Sequence, residues 1–194
     1  MTLTAAKIIW LLGCIAWWAI RYPHQRRSRK TAIASSTQKP LERVLLGISF
    51  SGLFLVPLFY VITQQPKFAS YAFQPVLAWL GAALFVVTLY LFYAVHRDLG
   101  RSWSVTLELR DKHALITHGV YRYVRHPMYS AFWMWAIAQA LLLPNWLAGL
   151  SGIAGFGTLY FCRVRNEERM MQAAFGAEYE DYAARTKRII PGIY

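Results

Sequence analysis

The stretch SAFWMWAIAQALLLPNWLAGLSGIAGFGTLYFC, residues 130–162, runs for 33 residues without a charged side chain. One helix crosses the hydrocarbon core of a bilayer with about 20 residues, so this stretch is too long for a single crossing. Pro144 and Asn145 stand near its middle, and both residue types favour a break between helices. We therefore expect a helical hairpin in a membrane, with one helix over residues 127–143 and a second over residues 146–163.

Lipid is the expected surrounding for the rest of the chain as well. Of the 194 residues, 57% are hydrophobic and 15% are charged, whereas soluble domains carry about 25% charged residues. Three more apolar runs, residues 3–20, 45–63 and 73–94, have about the length of membrane-crossing helices. The sequence thus predicts one all-α integral membrane domain over residues 1–194, with five transmembrane helices.

The charges predict the orientation in the membrane. The net charge is +12, and all basic residues except Lys7 and Lys67 fall within residues 21–43, 97–125 and 163–188. These segments alternate with apolar runs, and basic loops mark the cytoplasmic side of a membrane. We expect a multi-pass protein with its N-terminus outside and its C-terminus in the cytoplasm. Nucleic-acid binding is not expected, because the basic segments contain no recognisable binding module.

Two of the segments on the cytoplasmic side are then residues 97–126 and residues 164–194. Turn-forming residues such as Gly100 and Gly119 punctuate the first of them, so we expect irregular structure with short helices there. The second contains two short polar stretches that we expect to be helical.

Cysteines and glycines, which often mark ligand sites, are expected to be structural here. Cys14 and Cys162 are the two cysteines, and each lies inside an apolar run. Two isolated thiols provide neither a disulfide framework nor zinc-ligand spacing, so we expect no metal site. Gly152, Gly155 and Gly157 lie in a predicted membrane helix with no strand before them. We expect them to allow close helix packing rather than nucleotide binding.

Two clusters of polar residues border the hairpin. Residues 125–129, Arg-His-Pro-Met-Tyr, precede its first helix, and Arg163 and Glu167 end its second helix. Pro127 suits the first helical position and disfavours helical backbone at His126, which places the imidazole where backbone N–H groups are free to bind a ligand. Arg163 and Glu167 are four residues apart and share a helix face. Because the hairpin returns the chain to the same side of the membrane, we expect both clusters in one pocket.

Each cluster also has a purely structural interpretation. Basic and aromatic residues often anchor the end of a membrane helix, and Arg163 with Glu167 can form an ordinary ion pair on a helix surface. A functional pocket requires that the two clusters meet. Arg165, Glu168 and Arg169 are expected to be surface charges.

A longer ordered set of residues carries a family resemblance. The set runs His113-x-Leu-Ile-Thr-x-Gly-x-Tyr121-x-x-x-Arg125-His126-Pro127-x-Tyr129, then Arg163-x-x-x-Glu167-Glu168, then Phe175-Gly176-x-x-Tyr179-x-x-Tyr182. This set resembles the isoprenylcysteine carboxyl methyltransferases, and the resemblance covers residues 97–194. The resemblance implies that S-adenosylmethionine donates a methyl group and leaves as S-adenosylhomocysteine. The acceptor it implies is the C-terminal carboxylate of a prenylated cysteine or a similar lipophilic substrate.

The resemblance also implies a cytoplasmic cofactor pocket and assigns its residues by position. Those that would contact the cofactor are His113, Ala114, Leu115, Ile116, Tyr121, His126, Pro127, Met128, Tyr129 and Glu167. Arg163 would bind the substrate and act in catalysis. The residue chemistry suits these roles, because tyrosine faces attract a sulfonium and Glu167 can pair with an ammonium. A carboxylate acceptor is already ionised, so Arg163 need only orient it and no general base is required.

Three other functions remain open from the sequence. Phospholipid N-methyltransferases share the five-residue motif, but an amine acceptor must lose a proton and would gain little from Arg163. A sterol-type reductase would use NADPH and would be indifferent to S-adenosylhomocysteine. A non-catalytic membrane scaffold or a transporter is the third, although transporters usually place ionisable groups near the middle of the bilayer. For the favoured function, the expected partners are the lipid bilayer and a lipophilic substrate.

Overall fold

The computed structural model describes residues 1–28, 33–36, 40–100, 108–110 and 115–194. Within these ranges α-helices dominate. Their bounds are α1 Leu3–Ser28, α2 Pro40–Phe50, α3 Val56–Thr63, α4 Pro75–Leu99, α5 Pro127–Leu142, α6 Trp146–Phe175 and α7 Ala177–Arg185. A π-helical turn, Ser51–Leu55, joins α2 to α3 without a break. Short 3-10 turns lie at Lys67–Ala69 and Gly119–Arg122.

Length and composition allow four helical segments of the described chain to cross a membrane. These are Leu3–Arg26, Pro40–Thr63, Pro75–Leu99 and Trp146–Phe175, with mean hydropathy between 1.3 and 2.2. They include four of the five predicted crossings. α5 has 16 residues, which gives about 24 Å at about 1.5 Å per residue, less than the hydrocarbon thickness of about 30 Å. The crossing predicted over residues 127–143 therefore stays a prediction.

The hairpin breaks at Pro144 and Asn145, where the sequence predicts it. The fully buried Asn145 caps α6, because its side-chain oxygen accepts a hydrogen bond from Ala148 N at 3.0 Å. Its amide nitrogen donates to Pro66 O at 2.9 Å and to Ser70 Oγ at 3.0 Å. The turn of the hairpin is thereby tied to the connection between α3 and α4. These two connections lie at the same end of the bundle, as alternate crossings require.

Close approach between helices depends on glycines in α6 and in the π-helical turn. A β-carbon at Gly155 would lie 2.7 Å from Ile48 O, and one at Gly52 would lie 2.2 Å from Ser151 O. At that crossing the buried Gln139 donates through Nε2 to Gly52 O at 3.1 Å. The expectation that these helices pack closely through small residues is confirmed.

Aromatic side chains fill the core of the bundle. Trp135 is fully buried and lies edge-on to Phe85, with ring centroids 4.7 Å apart, and to Trp17, with centroids 5.9 Å apart. Large apolar side chains also cover the outside of the helices, as with Ile62 and Val76, which are 71% and 72% exposed. A surface of this kind is suited to contact with lipid rather than with water.

Two short strands accompany the helices on the basic side of the molecule. Strand β1, Ile33–Ser36, pairs antiparallel with strand β2, Glu108–Arg110, and β2 lies in the connection where irregular chain and short helices were expected. Strands of three and four residues are too short to create a readable alternation of apolar and polar residues. Their pairing is set by where the ends of the helices place the two connections.

Candidate active site

The C-terminal tail is docked on the segment that leads into α5. Arg125 N donates to Lys187 O at 2.7 Å, and His126 N donates to Arg188 O at 2.8 Å. Ser130 Oγ donates to Ile189 O at 2.6 Å. These bonds hold His126 just before Pro127, the first residue of α5. In the first turn of α5, Pro127 has no N–H and Ser130 N donates to His126 O at 3.1 Å, so the N–H groups of Met128 and Tyr129 are the ones left without a carbonyl partner in the helix.

The two polar clusters meet at the end of the hairpin opposite its turn. The Tyr129 hydroxyl donates to Glu167 Oε2. His126 Nδ1 lies 3.8 Å from Glu167 Oε1, and Arg163 Nε lies 3.9 Å from Glu167 Oε2. The His126 and Tyr129 rings are stacked with centroids 5.4 Å apart. Glu167 is thus in contact with three other predicted site residues, as the hairpin requires.

The structure also describes the predicted site residues Tyr121, Pro127 and Met128. Tyr121 lies in the 3-10 turn before α5, and its carbonyl accepts a hydrogen bond from Tyr182 Oη at 2.6 Å. Burial, with the nearby Glu167 carboxylate, raises the pKa of Tyr121 well above its ordinary value, so the phenol stays neutral. Pro127 is buried and Met128 packs against the core.

The remaining predicted cofactor residues form one short stretch before Tyr121. Leu115 and Ile116 are half-buried. His113 and Ala114 lie outside the described residues.

Glu42 is a site residue that the sequence argument did not identify. It lies in the first turn of α2, is 7% exposed, and places Oε1 3.6 Å from Arg163 Nη1. The Arg163 side chain is itself only 10% exposed. One largely buried guanidinium is therefore held between carboxylates from two different helices. The sequence did distinguish Glu42, since it is the single acidic residue in the basic segment 21–43.

The expectation that Glu168 is a surface charge was wrong. Its carboxylate accepts hydrogen bonds from Arg125 Nη2 at 2.8 Å and from Arg188 Nη2 at 2.6 Å. His126 Nε2 lies 3.4 Å from Glu168 Oε1. The hydrogen bonds to Glu168 raise the pKa of Arg188 above its ordinary value. Glu168 is half-buried because the C-terminal tail folds back over it, which local periodicity on α6 does not reveal.

Arg125 also holds the C-terminal tail in its position over Glu168, because it binds the tail directly. Its guanidinium donates to Ala183 O at 3.1 Å and also to Thr186 O. Arg165 and Arg169 are exposed, as expected. The imidazole of His126 consequently sits between two carboxylates, Glu167 on one ring nitrogen and Glu168 on the other.

Comparison with known proteins extends the family resemblance. Residues 79–173 match the model of the isoprenylcysteine carboxyl methyltransferase (ICMT) family. The chain is 28% identical over 183 residues to a protein-S-isoprenylcysteine O-methyltransferase of Dictyostelium discoideum, an alignment that covers 91% of this chain and 71% of the relative. It is 38% identical over 96 residues to a probable protein-S-isoprenylcysteine O-methyltransferase of Oryza sativa subsp. japonica, covering 48% of this chain and 50% of the relative. The matched region thus spans about half the length of the rice relative.

A solved structure has the same fold. The eukaryotic intramembrane Ras methyltransferase ICMT superposes with a TM-score of 0.51 at 23% sequence identity, covering 81% of this chain and 54% of that one. The family match includes His126, Tyr129, Arg163 and Glu167. Over residues 79–173 the sequence is thus similar to the isoprenylcysteine carboxyl methyltransferase family, and the fold is similar to that of the solved methyltransferase.

Proposed function

We propose that this protein is an integral membrane enzyme that methylates the C-terminal carboxylate of a prenylated cysteine, or of a similar lipophilic acid, with S-adenosylmethionine. The observation that carries the proposal is the largely buried Arg163, held by Glu42 and Glu167 beside His126. The relatives named protein-S-isoprenylcysteine O-methyltransferase support the same reaction.

The residues around Glu167 fit the proposed cofactor. S-Adenosylmethionine supplies an electrophilic methyl group, and it carries a sulfonium, an ammonium and a carboxylate. Glu167 is a suitable partner for the ammonium, and the faces of Tyr121 and Tyr129 are suitable for the sulfonium. The backbone N–H groups of Met128 and Tyr129 in the first turn of α5 can bind the carboxylate. Leu115, Ile116 and Met128 would add apolar surface to this pocket.

Arg163 is the proposed partner of the acceptor carboxylate. Its distances of 3.6 Å to Glu42 and 3.9 Å to Glu167 are longer than those of close ion pairs. When Glu167 binds the cofactor ammonium, Arg163 keeps Glu42 and gains the acceptor carboxylate. Burial strengthens this attraction, because less water screens the charges.

The reaction needs orientation more than it needs proton transfer. An oxygen of the acceptor carboxylate forms the new bond to the methyl carbon while the carbon–sulfur bond breaks, giving an ester and a thioether. No proton leaves the acceptor. Arg163 and the Glu167–Tyr129 pair would contribute mainly by holding the reacting atoms in line. We place the pocket at the cytoplasmic face because the basic connections lie at the same end, and the lipid chain of the substrate between helices in the bilayer.

Two measurements on the purified full-length protein test this proposal. Calorimetric titration should show saturable binding of S-adenosylhomocysteine. With labelled S-adenosylmethionine, methyl transfer should occur to N-acetyl-farnesylcysteine and not to phosphatidylethanolamine. Transfer to the amine alone would refute the carboxylate assignment, and binding of NADPH without binding of S-adenosylhomocysteine would refute the whole proposal.

A further inference from the structure

A second concavity adjoins Glu168 on the surface of the molecule. Its volume is about 360 Å³, and the residues that matter for its chemistry are Arg125, Arg165, Glu168, Arg169, Tyr179 and Arg188. It includes none of the residues assigned to the cofactor or to the acceptor. The methyl-transfer proposal gives this pocket no role.

The pocket has a large excess of positive charge. Arg125 and Arg188 share the single carboxylate of Glu168. Arg165 and Arg169 are exposed, and within the described part of the chain neither makes an ion pair or a hydrogen bond to another side chain. Four guanidinium groups around one carboxylate leave a net charge of +3. A concave surface with this charge concentrates anions.

Tyr179 provides a further donor in the same pocket. It is 5% exposed, and its hydroxyl hydrogen has no acceptor among the described residues. Burial raises the pKa of Tyr179 to about 12, so the hydroxyl keeps its proton at neutral pH. A buried donor without an acceptor is costly unless a ligand satisfies it.

The geometry of α6 places this pocket at the surface of the membrane. Phe161 is 64% exposed on the lipid-facing side of α6. Arg165 and Arg169 follow it at spacings of four and eight residues on the same face, about 6 Å and about 12 Å further along the axis. The headgroup layer of a bilayer occupies about 5 to 8 Å beyond the hydrocarbon core. Arg165 is therefore level with the lipid phosphates, and the long side chain of Arg169 can extend back toward them, because helix side chains lean toward the N-terminus.

The C-terminal tail brings apolar side chains to the same surface. Ile190 and Ile193 are 45% and 76% exposed, and they follow Arg188, which lines the pocket. Exposed isoleucines beside basic residues are typical of segments that rest on a membrane interface. This continuity favours a ligand that comes from the bilayer over one that comes from solution.

We propose that the pocket binds the phosphate group of an anionic phospholipid from the adjacent leaflet. The planar guanidinium groups of Arg165 and Arg169 match the geometry of phosphate oxygens, and Tyr179 can donate a further hydrogen bond. A zwitterionic headgroup is disfavoured, because its ammonium would meet the same excess of positive charge. The site is independent of methyl transfer, so its test is a binding measurement.

The test uses the purified full-length protein in uncharged detergent micelles. Thermal unfolding is followed with dihexanoyl phosphatidic acid, dihexanoyl phosphatidylcholine or inorganic phosphate added. We expect a saturable rise in Tm with phosphatidic acid, no rise with phosphatidylcholine, and half-saturation by inorganic phosphate at a concentration at least about tenfold higher.

Matched variants locate the binding. Arg165→Gln with Arg169→Gln should raise the half-saturating concentration of phosphatidic acid at least about tenfold. Arg165→Lys with Arg169→Lys keeps the charge but not the planar fork, and should weaken binding less. Arg185→Gln with Lys187→Gln removes the same charge from exposed positions nearby and should leave binding unchanged.

Three results would overturn the proposal. Inorganic phosphate acting at the same concentration as phosphatidic acid would make the ligand a soluble phosphate ester. An unchanged response in the Arg165→Gln/Arg169→Gln protein would place the lipid elsewhere. A response to phosphatidylcholine equal to that to phosphatidic acid would show that the acyl chains alone are bound.

Discussion

The two ends of the α5–α6 hairpin are held by different chemistry. At the turn end, Asn145 binds Pro66 O and Ser70 Oγ through a neutral amide. At the open end the contacts are ionic, and the residues that make them are Glu42, Arg125, His126, Arg163, Glu167, Glu168 and Arg188. Both ends join segments that are distant in sequence, so closing the bundle does not in itself require charges.

This difference indicates where ligands bind. A buried neutral amide needs only its hydrogen bonds, whereas a buried ion must also be compensated for the loss of water. If the open end only had to hold helices together, neutral hydrogen bonds like those of Asn145 at the turn end would be sufficient. Ionic groups concentrated at one end are explained if charged ligands take part in their contacts. Substitutions at the two ends should therefore have different consequences.

The largest effect is expected for Arg163→Ala at the open end. Without the guanidinium the acceptor carboxylate is neither attracted nor oriented, and methyl transfer should fall at least about 100-fold. The affinity for S-adenosylhomocysteine, measured by calorimetry, should change less than about threefold. Arg185→Ala, an exposed arginine on α7, is the matched control and should keep full activity. If cofactor affinity falls as far as the rate, Arg163 belongs to the cofactor site instead.

Glu167→Gln should have the next largest effect, on cofactor binding. The amide can still accept the hydrogen bond from Tyr129 but cannot pair with an ammonium. A hydrogen bond to a charged group contributes about 1.5 to 3 kcal/mol, so affinity for S-adenosylhomocysteine should fall about 10- to 100-fold. Calorimetric titration measures this directly. An unchanged affinity would contradict the assignment of Glu167 to the cofactor and leave it a structural partner of Tyr129.

Asn145→Ala at the turn end should affect stability and not ligand binding. The change removes a helix cap and leaves Pro66 O without its amide donor, which together should lower the free energy of unfolding by about 2 kcal/mol. Denaturation in micelles gives the stability, and calorimetry should give an unaltered affinity for S-adenosylhomocysteine. Asn166→Ala, at an exposed position on α6, is the control. A loss of cofactor affinity in Asn145→Ala would show that the two ends are coupled.

The sequence predicted the contacts that follow from the hairpin itself. It missed contacts that other segments make when they pack against the hairpin. The hairpin was predictable because residues 130–162 lack charge and Pro144 interrupts them. The contact of His126 with Glu167 followed from that topology. Glu168 was misjudged, because its partner Arg188 reaches it only after the tail folds back over α6.

Glu42 was missed for a similar reason. Its contact with Arg163 depends on how α2 packs against α6. The sequence pattern of either helix alone does not indicate that packing. Periodicity reveals which face of a helix is buried but not which helix covers it. Contacts between distant charged residues were therefore the part of the site that required the structure.

The smallest effect is expected for Glu42→Gln at the open end of the hairpin. The amide keeps the size of the side chain and can still accept from Arg163, but it removes one of the two carboxylates that hold the guanidinium. If Glu42 positions Arg163, kcat/KM for the carboxylate acceptor should fall about threefold to tenfold, with the affinity for S-adenosylhomocysteine unchanged. Glu42→Asp keeps the charge at a shorter reach and should restore part of the loss. A fall in stability with an unchanged kcat/KM would make Glu42 a structural ion-pair partner. The charges of Glu42 and Arg163 would then only hold the helices together, as the Asn145 amide does at the turn end.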